Sequence, residues 1–151
     1  GDNTLTLAAL NDIKQYHGDD PGMSLMLIDY YILNEQYEDA IKAVERLEKY
    51  SGTPDAVLLS MRGNILLMNG DADAAIAVAR EGIQAEPGED DPYWTLADAQ
   101  ARSGEYASAV ATFKQLESLF GYEFDYDYYR SQPDYEAFAK SPAFERWAAG
   151  E

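Results

Sequence analysis

Cysteine is missing from this 151-residue sequence, and histidine occurs only once. Without cysteine the chain has no disulfide, no thiolate metal ligand and no cysteine nucleophile. The redox state of the compartment in which the protein works is left open by this composition. Any chemistry of the chain has to rely on other residue types.

Positive charge is also scarce, since 11 Lys and Arg side chains stand against 28 Asp and Glu side chains, for a formal net charge of −17. Nucleic-acid binding depends on Lys and Arg that displace counterions from phosphates, so this balance excludes nucleic acid as a partner. Anionic lipid surfaces are excluded for the same reason. Two interpretations of the acidity stay open: a basic partner, or a surface that keeps the protein soluble.

Long apolar runs are absent as well. A membrane-spanning helix needs roughly 18 apolar residues, whereas the apolar residues 65–68 are followed at once by Asn69-Gly70-Asp71. The composition, 46% hydrophobic and 26% charged, is that of an ordinary folded domain. We therefore predict one domain over residues 1–151, with no membrane association.

The residue patterns of common enzymes are missing too. His17, the single histidine, follows a predicted helix end and is expected to interact with that helix terminus rather than to act as a base. There is no glycine-rich phosphate loop, nucleophile elbow or paired-histidine metal motif. The acidic stretches 71–73, 89–91 and 125–127 lack the glycine and distal glutamate of a calcium-binding loop. We predict a protein that is not an enzyme and has no cofactor or metal.

An internal repeat is present. Residues 63–76 realign with residues 97–110 at a displacement of 34, and an earlier copy at 28–41 is displaced by 35. Each copy is predicted to form two helices of about 13 to 15 residues joined by a tight polar turn, and the first helix ends near Asn34, Asn69 or Ser103. Small residues occupy the predicted helix crossings, namely Gly63, Ala75, Ala97 and Ala109.

These features resemble the tetratricopeptide repeat (TPR) over residues 21–122: the period, the small residues, the Gly-Asp or Gly-Glu turn, Tyr37, Tyr106 and Pro87. Arg62 and Ala72 depart from the family pattern in the middle repeat. The resemblance implies an all-α, right-handed superhelical solenoid of antiparallel helix pairs. We expect an N-terminal capping helix at 4–20, repeats at 21–55, 56–89 and 90–122, and a C-terminal capping segment at 123–151 with helices near 134–140 and 142–149.

The resemblance also implies a protein- or peptide-binding scaffold whose concave groove is lined by the first helices. The groove positions would be Leu25, Asp29, Ile32, Ser60, Asn64, Leu67, Asp91, Trp94, Asp98 and Arg102. One Arg and three Asp do not suit a carboxylate clamp, so we expect a neutral or basic peptide. Other interpretations stay open: Trp94 as a packing residue between repeats, Asn64 bonded to a neighbouring helix, and Asp29 and Asp98 as solvated surface. The tyrosine-rich tract 122–129 is either a recognition surface or a capping segment that lies over the groove.

A structural or assembly role is the alternative function, through self-association to a homo-oligomer or as an accessory domain of a larger protein. The chain begins at Gly1 rather than Met, from which we expect that a natural N-terminus was removed and that the protein is exported to the periplasm rather than cytoplasmic.

Overall fold

The computed structural model describes residues 8–9, 12–13, 15–16 and 20–151. The predicted capping helix at 4–20, with His17, lies for the most part outside these residues. From residue 20 onward the described part is all helical, without strands. The chain divides into two compact units, residues 1–53 and 54–151. The all-α, repeat-built fold that the sequence predicts is confirmed. Within the described residues no helix is both long and apolar enough to cross a membrane.

The first unit contains one helix pair, α1 (Pro21–Leu33) and α2 (Tyr37–Ser51). Asp20 caps α1 by accepting a hydrogen bond from the Gly22 backbone N–H at 2.8 Å, and Pro21 at the first helical position already has the helical φ. The unit's core consists of residues from both helices, namely Leu27, Ile28, Tyr31, Ala40, Ala43, Val44 and Leu47.

The second unit contains two helix pairs, α3 (Ala56–Met68) with α4 (Ala72–Ala85), and α5 (Asp91–Ser103) with α6 (Tyr106–Phe120). Asp55 and Asp71 cap α3 and α4, because an unpaired N–H at a helix start needs an acceptor. Gly70 and Gly104 have φ of 84° and 89°, which lets the chain leave α3 and α5 through the left-handed region. The helix ends agree with those predicted.

The C-terminal segment, residues 122–151, folds as α7 (Tyr126–Ser131), a 3₁₀-helix (Pro133–Tyr135), α8 (Glu136–Ala139) and α9 (Pro142–Ala148). The two helices predicted near 134–140 and 142–149 are present. The helix α7 was not predicted, because its six residues are three tyrosines with Asp127, Arg130 and Ser131 and show no apolar helical stripe. Asp125 starts it by accepting hydrogen bonds from the Asp127 and Tyr128 backbone N–H groups.

The first helices α3 and α5 of the second unit meet at Gly63. A β-carbon at this position would lie 2.6 Å from the γ-methyl group of Thr95. The Thr95 hydroxyl donates a hydrogen bond to Asn64 Oδ1 at 3.1 Å beside this contact. The close approach explains why the repeat has a residue without a side chain at position 63.

We expect Gly63→Ala to lower the free energy of unfolding, measured by urea denaturation. Overpacking costs typically about 1–3 kcal/mol, which outweighs the helix propensity of about 1 kcal/mol that alanine gains over glycine. Adding Thr95→Ser removes the γ-methyl group, keeps the hydroxyl and should restore most of the loss. Gly88→Ala is the control, because a β-carbon there meets nothing within 4 Å. A Gly63→Ala variant as stable as the parent would contradict the close approach.

Candidate functional site

The first helix of the first unit, α1, carries three of the predicted groove residues. Leu25 and Asp29 are exposed, and Ile32 is half-buried. Asp29 is the single charged residue among the thirteen residues of α1. This helix therefore offers apolar side chains and one carboxylate to solvent.

The first helix of the second repeat, α3, carries three more. Ser60 is buried, and its hydroxyl donates a 2.7 Å hydrogen bond to the Ala56 carbonyl one turn earlier. Asn64 is exposed, although its Oδ1 is the acceptor for Thr95, and Leu67 is half-buried. Ser60 is thus engaged inside its own helix, whereas Asn64 and Leu67 are accessible in part.

Trp94 on α5 is surrounded by aromatic side chains. Its ring centroid lies 4.9 Å from that of Tyr122, 5.5 Å from that of Phe124 and 6.3 Å from that of Phe113, each in an edge-to-face arrangement. Two of these neighbours belong to the C-terminal segment. The hydroxyl of Tyr122 also donates a hydrogen bond to the Asp90 carboxylate just before α5.

Asp98 and Arg102, one and two turns further along α5, are contacted by the same segment. The Tyr135 hydroxyl donates a 2.5 Å hydrogen bond to Asp98 Oδ1. The Arg102 guanidinium lies 3.3 Å from the Asp134 carboxylate and 5.9 Å from the centre of the Tyr135 ring. Of the four predicted groove residues on α5, Asp91 alone has no side-chain contact of this kind described, and it is exposed.

The contacts at Asn64 and Asp98 follow one rule. The two residues occupy the same position of the repeat, 34 residues apart. Each accepts a hydrogen bond from a hydroxyl of the element that follows: Thr95 on α5 in one case, and Tyr135 in the C-terminal segment in the other. At α5 the C-terminal segment thus provides the hydroxyl donor that the first helix of a following repeat would provide.

The C-terminal segment is held by a buried aromatic cluster centred on Phe113 of α6. The Phe113 ring lies between 5.1 and 5.8 Å from the rings of Phe124, Tyr129, Phe138 and Trp147. The Trp147 indole N–H donates to Glu117 of α6 at 3.1 Å. The segment is therefore part of the core of the second unit rather than a loose tail.

Electrostatics at Asp98 reflect its partial burial. Burial raises the pKa of the Asp98 carboxyl above its ordinary value, although the Tyr135 hydrogen bond and the charge of Arg102 act in the opposite direction. Burial and the adjacent Asp98 carboxylate raise the pKa of Tyr135 as well, so its hydroxyl stays protonated and donates. The side chains of Asp98 and Arg102 are engaged in contacts that hold the C-terminal segment to α5.

Tyr135 and Asp134 were not predicted as neighbours of the groove positions. They lie more than 30 residues from Asp98 and Arg102 along the chain, and the repeat ends before them. The signal that was present is the aromatic tract 122–129, for which the sequence left open a recognition surface or a capping segment laid over the groove. In the part of the chain that the structure describes, no three His, Cys, Asp or Glu side chains are grouped as metal ligands.

Two family models described as tetratricopeptide repeat match the chain, one over residues 25–90 and one over residues 66–119. Among curated proteins, none matches the sequence significantly.

Several solved structures share the fold. The protein MamA is 17% identical with a TM-score of 0.68, and the match covers 94% of this chain and 80% of that chain. YrrB, a TPR protein with an unusual peptide-binding site, is 14% identical with a TM-score of 0.61, covering 92% and 71%. The TPR2B domain of yeast Sti1, solved in a complex with pHsp70, is 23% identical with a TM-score of 0.59, covering 80% and 96%.

We expect Asp98→Asn to flatten the pH dependence of stability. Because the folded-state pKa of Asp98 is raised, its contribution to stability is fully present below the unfolded value of about 3.8 and is lost as pH rises through the folded pKa. The amide of Asn can accept the Tyr135 hydrogen bond, as Asn64 accepts one from Thr95. The measurement is the free energy of unfolding of both proteins from pH 3 to pH 7. The parent should lose stability relative to the variant over this range, and a constant or growing advantage of the parent would contradict the assignment.

The aromatic packing of the C-terminal segment should matter more than its exposed hydrogen bond. We expect Phe124→Ala to reduce the free energy of unfolding by about 3 kcal/mol, as for other aromatic truncations in a core. Tyr122→Phe should leave the urea midpoint unchanged, because water replaces the hydroxyl's contact with Asp90. Equal effects of the two changes would show that the segment is held by other means.

Proposed function

The chain is a tetratricopeptide repeat protein, and we propose that it is a non-catalytic scaffold that binds a protein or peptide segment through the first helices of its repeats. The proposal rests on one observation, namely that the first helices differ in whether the C-terminal segment contacts them. Trp94, Asp98 and Arg102 on α5 are contacted by side chains of the chain's own C-terminal segment. Leu25 and Asp29 on α1 and Asn64 on α3 are exposed.

The side chains proposed to contact the partner are those of the predicted set that are exposed or half-buried and have no contact with the C-terminal segment described. They are Leu25, Asp29, Ile32, Asn64, Leu67 and Asp91. An amide such as Asn64 can bind a peptide backbone, and a carboxylate such as Asp29 can receive Lys or Arg. Ser60 is buried, and Trp94, Asp98 and Arg102 are contacted by the C-terminal segment, so we assign these four residues to the scaffold.

Other features support a peptide rather than a substrate. The fold is shared with YrrB, which has a peptide-binding site, and with a domain of yeast Sti1 that forms a complex with pHsp70. The sequence has no cysteine, one histidine and no catalytic motif. The net charge of −17 favours a neutral or basic partner segment.

Peptide selection tests this function. A random peptide library displayed on phage is selected against the immobilised full chain, and enriched peptides are measured by fluorescence anisotropy. We expect enrichment, and a loss of affinity of roughly fivefold or more for Asp29→Ala or Asn64→Ala, since side chains central to an interface contribute most of its energy. Gln84→Ala, an exposed polar residue on the second helix α4, is the matched control.

The two ways in which this experiment can fail have different meanings. If no peptide is enriched over bare support, the scaffold function is wrong. If peptides are enriched but neither variant weakens their binding, the chain binds peptides through another surface and the assignment to the first helices is wrong.

A further inference from the structure

The four methionines of the chain all lie on α1 and α3, the first helices of the first two repeats: Met23 and Met26 on the former, Met61 and Met68 on the latter. Met26 is 57% exposed and Met68 52% exposed. The methionine side chain is unbranched and polarizable, so it adapts to different apolar partners and is frequent on binding surfaces. Because all four methionines lie on these two helices, we interpret them as part of a binding surface rather than as residues that fill gaps in the core.

On α3 the methionines belong to a continuous stripe. Val57, Met61, Asn64 and Met68 follow one another at spacings of four, three and four residues, which places them on one face of the helix. Val57 is 49% exposed, Asn64 is exposed and Met61 is half-buried. We call these four residues the methionine stripe of α3.

The same positions 35 residues earlier form the methionine stripe of α1, which consists of Gly22, Met26, Asp29 and Leu33. Leu33 is the most exposed large apolar side chain recorded for the described residues, at 83%. Two of the three repeats thus present large apolar side chains to solvent at matching positions.

In the third repeat the matching positions carry polar residues, and three of the four have partners within the chain. The residues 34 positions after the α3 stripe are Asp91, Thr95, Asp98 and Arg102. The last three are bonded to Asn64, Tyr135 and Asp134 respectively. The third repeat thus has no large apolar side chain at these positions, whereas the stripes of α1 and α3 expose Met26, Leu33, Val57 and Met68, and contiguous exposed apolar surface is typical of interaction sites.

The charged residues on and beside the two stripes indicate which kind of partner could bind there. The helix α1 has no basic residue, and the single basic residue of α3, Arg62, is 3.9 Å from Glu81. The carboxylate of Asp29 lies within the α1 stripe, and Asp55 and Asp71 flank the two ends of α3. A second copy of the chain would bring another −17 charges to this surface, whereas a basic segment would be attracted.

We propose that the methionine stripes are docking surfaces for an amphipathic segment of another protein, one that carries Leu- or Met-sized side chains on one face with Lys or Arg beside them. The proposal rests on the scaffold function above and deepens it by stating the chemistry of the partner. The apolar side chains of the segment would pack on Met26 and Leu33 or on Val57 and Met68, and its cations would face the flanking carboxylates.

Three synthetic 14-residue peptides test the partner chemistry with the full chain. The first alternates Leu and Lys at helical spacing, the second has Glu in place of every Lys, and the third has Ser in place of every Leu. We expect the Leu/Lys peptide to bind at least roughly tenfold more tightly than the other two, because apolar contact and charge attraction are both required.

Two near-isosteric variants test the surface. Met26→Gln and Met68→Gln exchange an exposed apolar group for a polar one of similar size, and folding is checked by circular dichroism. Whichever stripe the Leu/Lys peptide occupies, the variant of that stripe should weaken its binding by roughly fivefold, and the double variant should do so in either case. Leu119→Gln is the control, because Leu119 is also apolar and 59% exposed but lies on the second helix α6. It should leave the affinity unchanged.

The proposal is overturned if the Leu/Lys peptide does not bind, or if it binds the methionine variants as tightly as the parent. It is also overturned if sedimentation velocity shows a dimer that the methionine variants lose, since the stripe would then serve a second copy of the chain. Each of these results differs from failure of the scaffold function, in which the library selection enriches no peptide at all.

Discussion

The architecture of the second unit depends on a close approach between consecutive first helices. Gly63 permits it, because a β-carbon there would collide with the γ-methyl group of Thr95. The hydrogen bond from Thr95 to Asn64 joins the two helices beside this point of contact. The stripe position therefore has two uses in this fold, since the same side chain that faces solvent also joins one repeat to the next.

A repeat array has to end, and the last first helix needs a partner for the face that another repeat would cover. In this chain residues 122–151 supply that partner. They reproduce the joint, with Tyr135 bonded to Asp98 as Thr95 is to Asn64. They also extend the core, because Phe113 is enclosed by Phe124, Tyr129, Phe138 and Trp147. The segment is thus part of the buried core of the second unit.

The C-terminal segment contacts α5. The exposed large apolar side chains of the first helices are therefore those of α1 and α3. Both helices are apolar around most of their circumference, each with one charged residue among thirteen. Such a helix is ordinarily buried on all sides. The exposed methionines on these two helices are therefore the feature on which the proposed docking surface rests.

The sequence by itself determined the repeat period, the helix pairs, their ends and the small residues at crossings, because caps, turns and apolar periodicity are local properties. It also identified Leu25, Asp29 and Asn64 as first-helix surface. Only the tertiary structure decided that Ser60 is buried, that α7 is a helix and that the C-terminal segment contacts Trp94, Asp98 and Arg102. The covering contacts join residues up to 37 positions apart, beyond the end of the repeat, where the period no longer predicts which side chains meet.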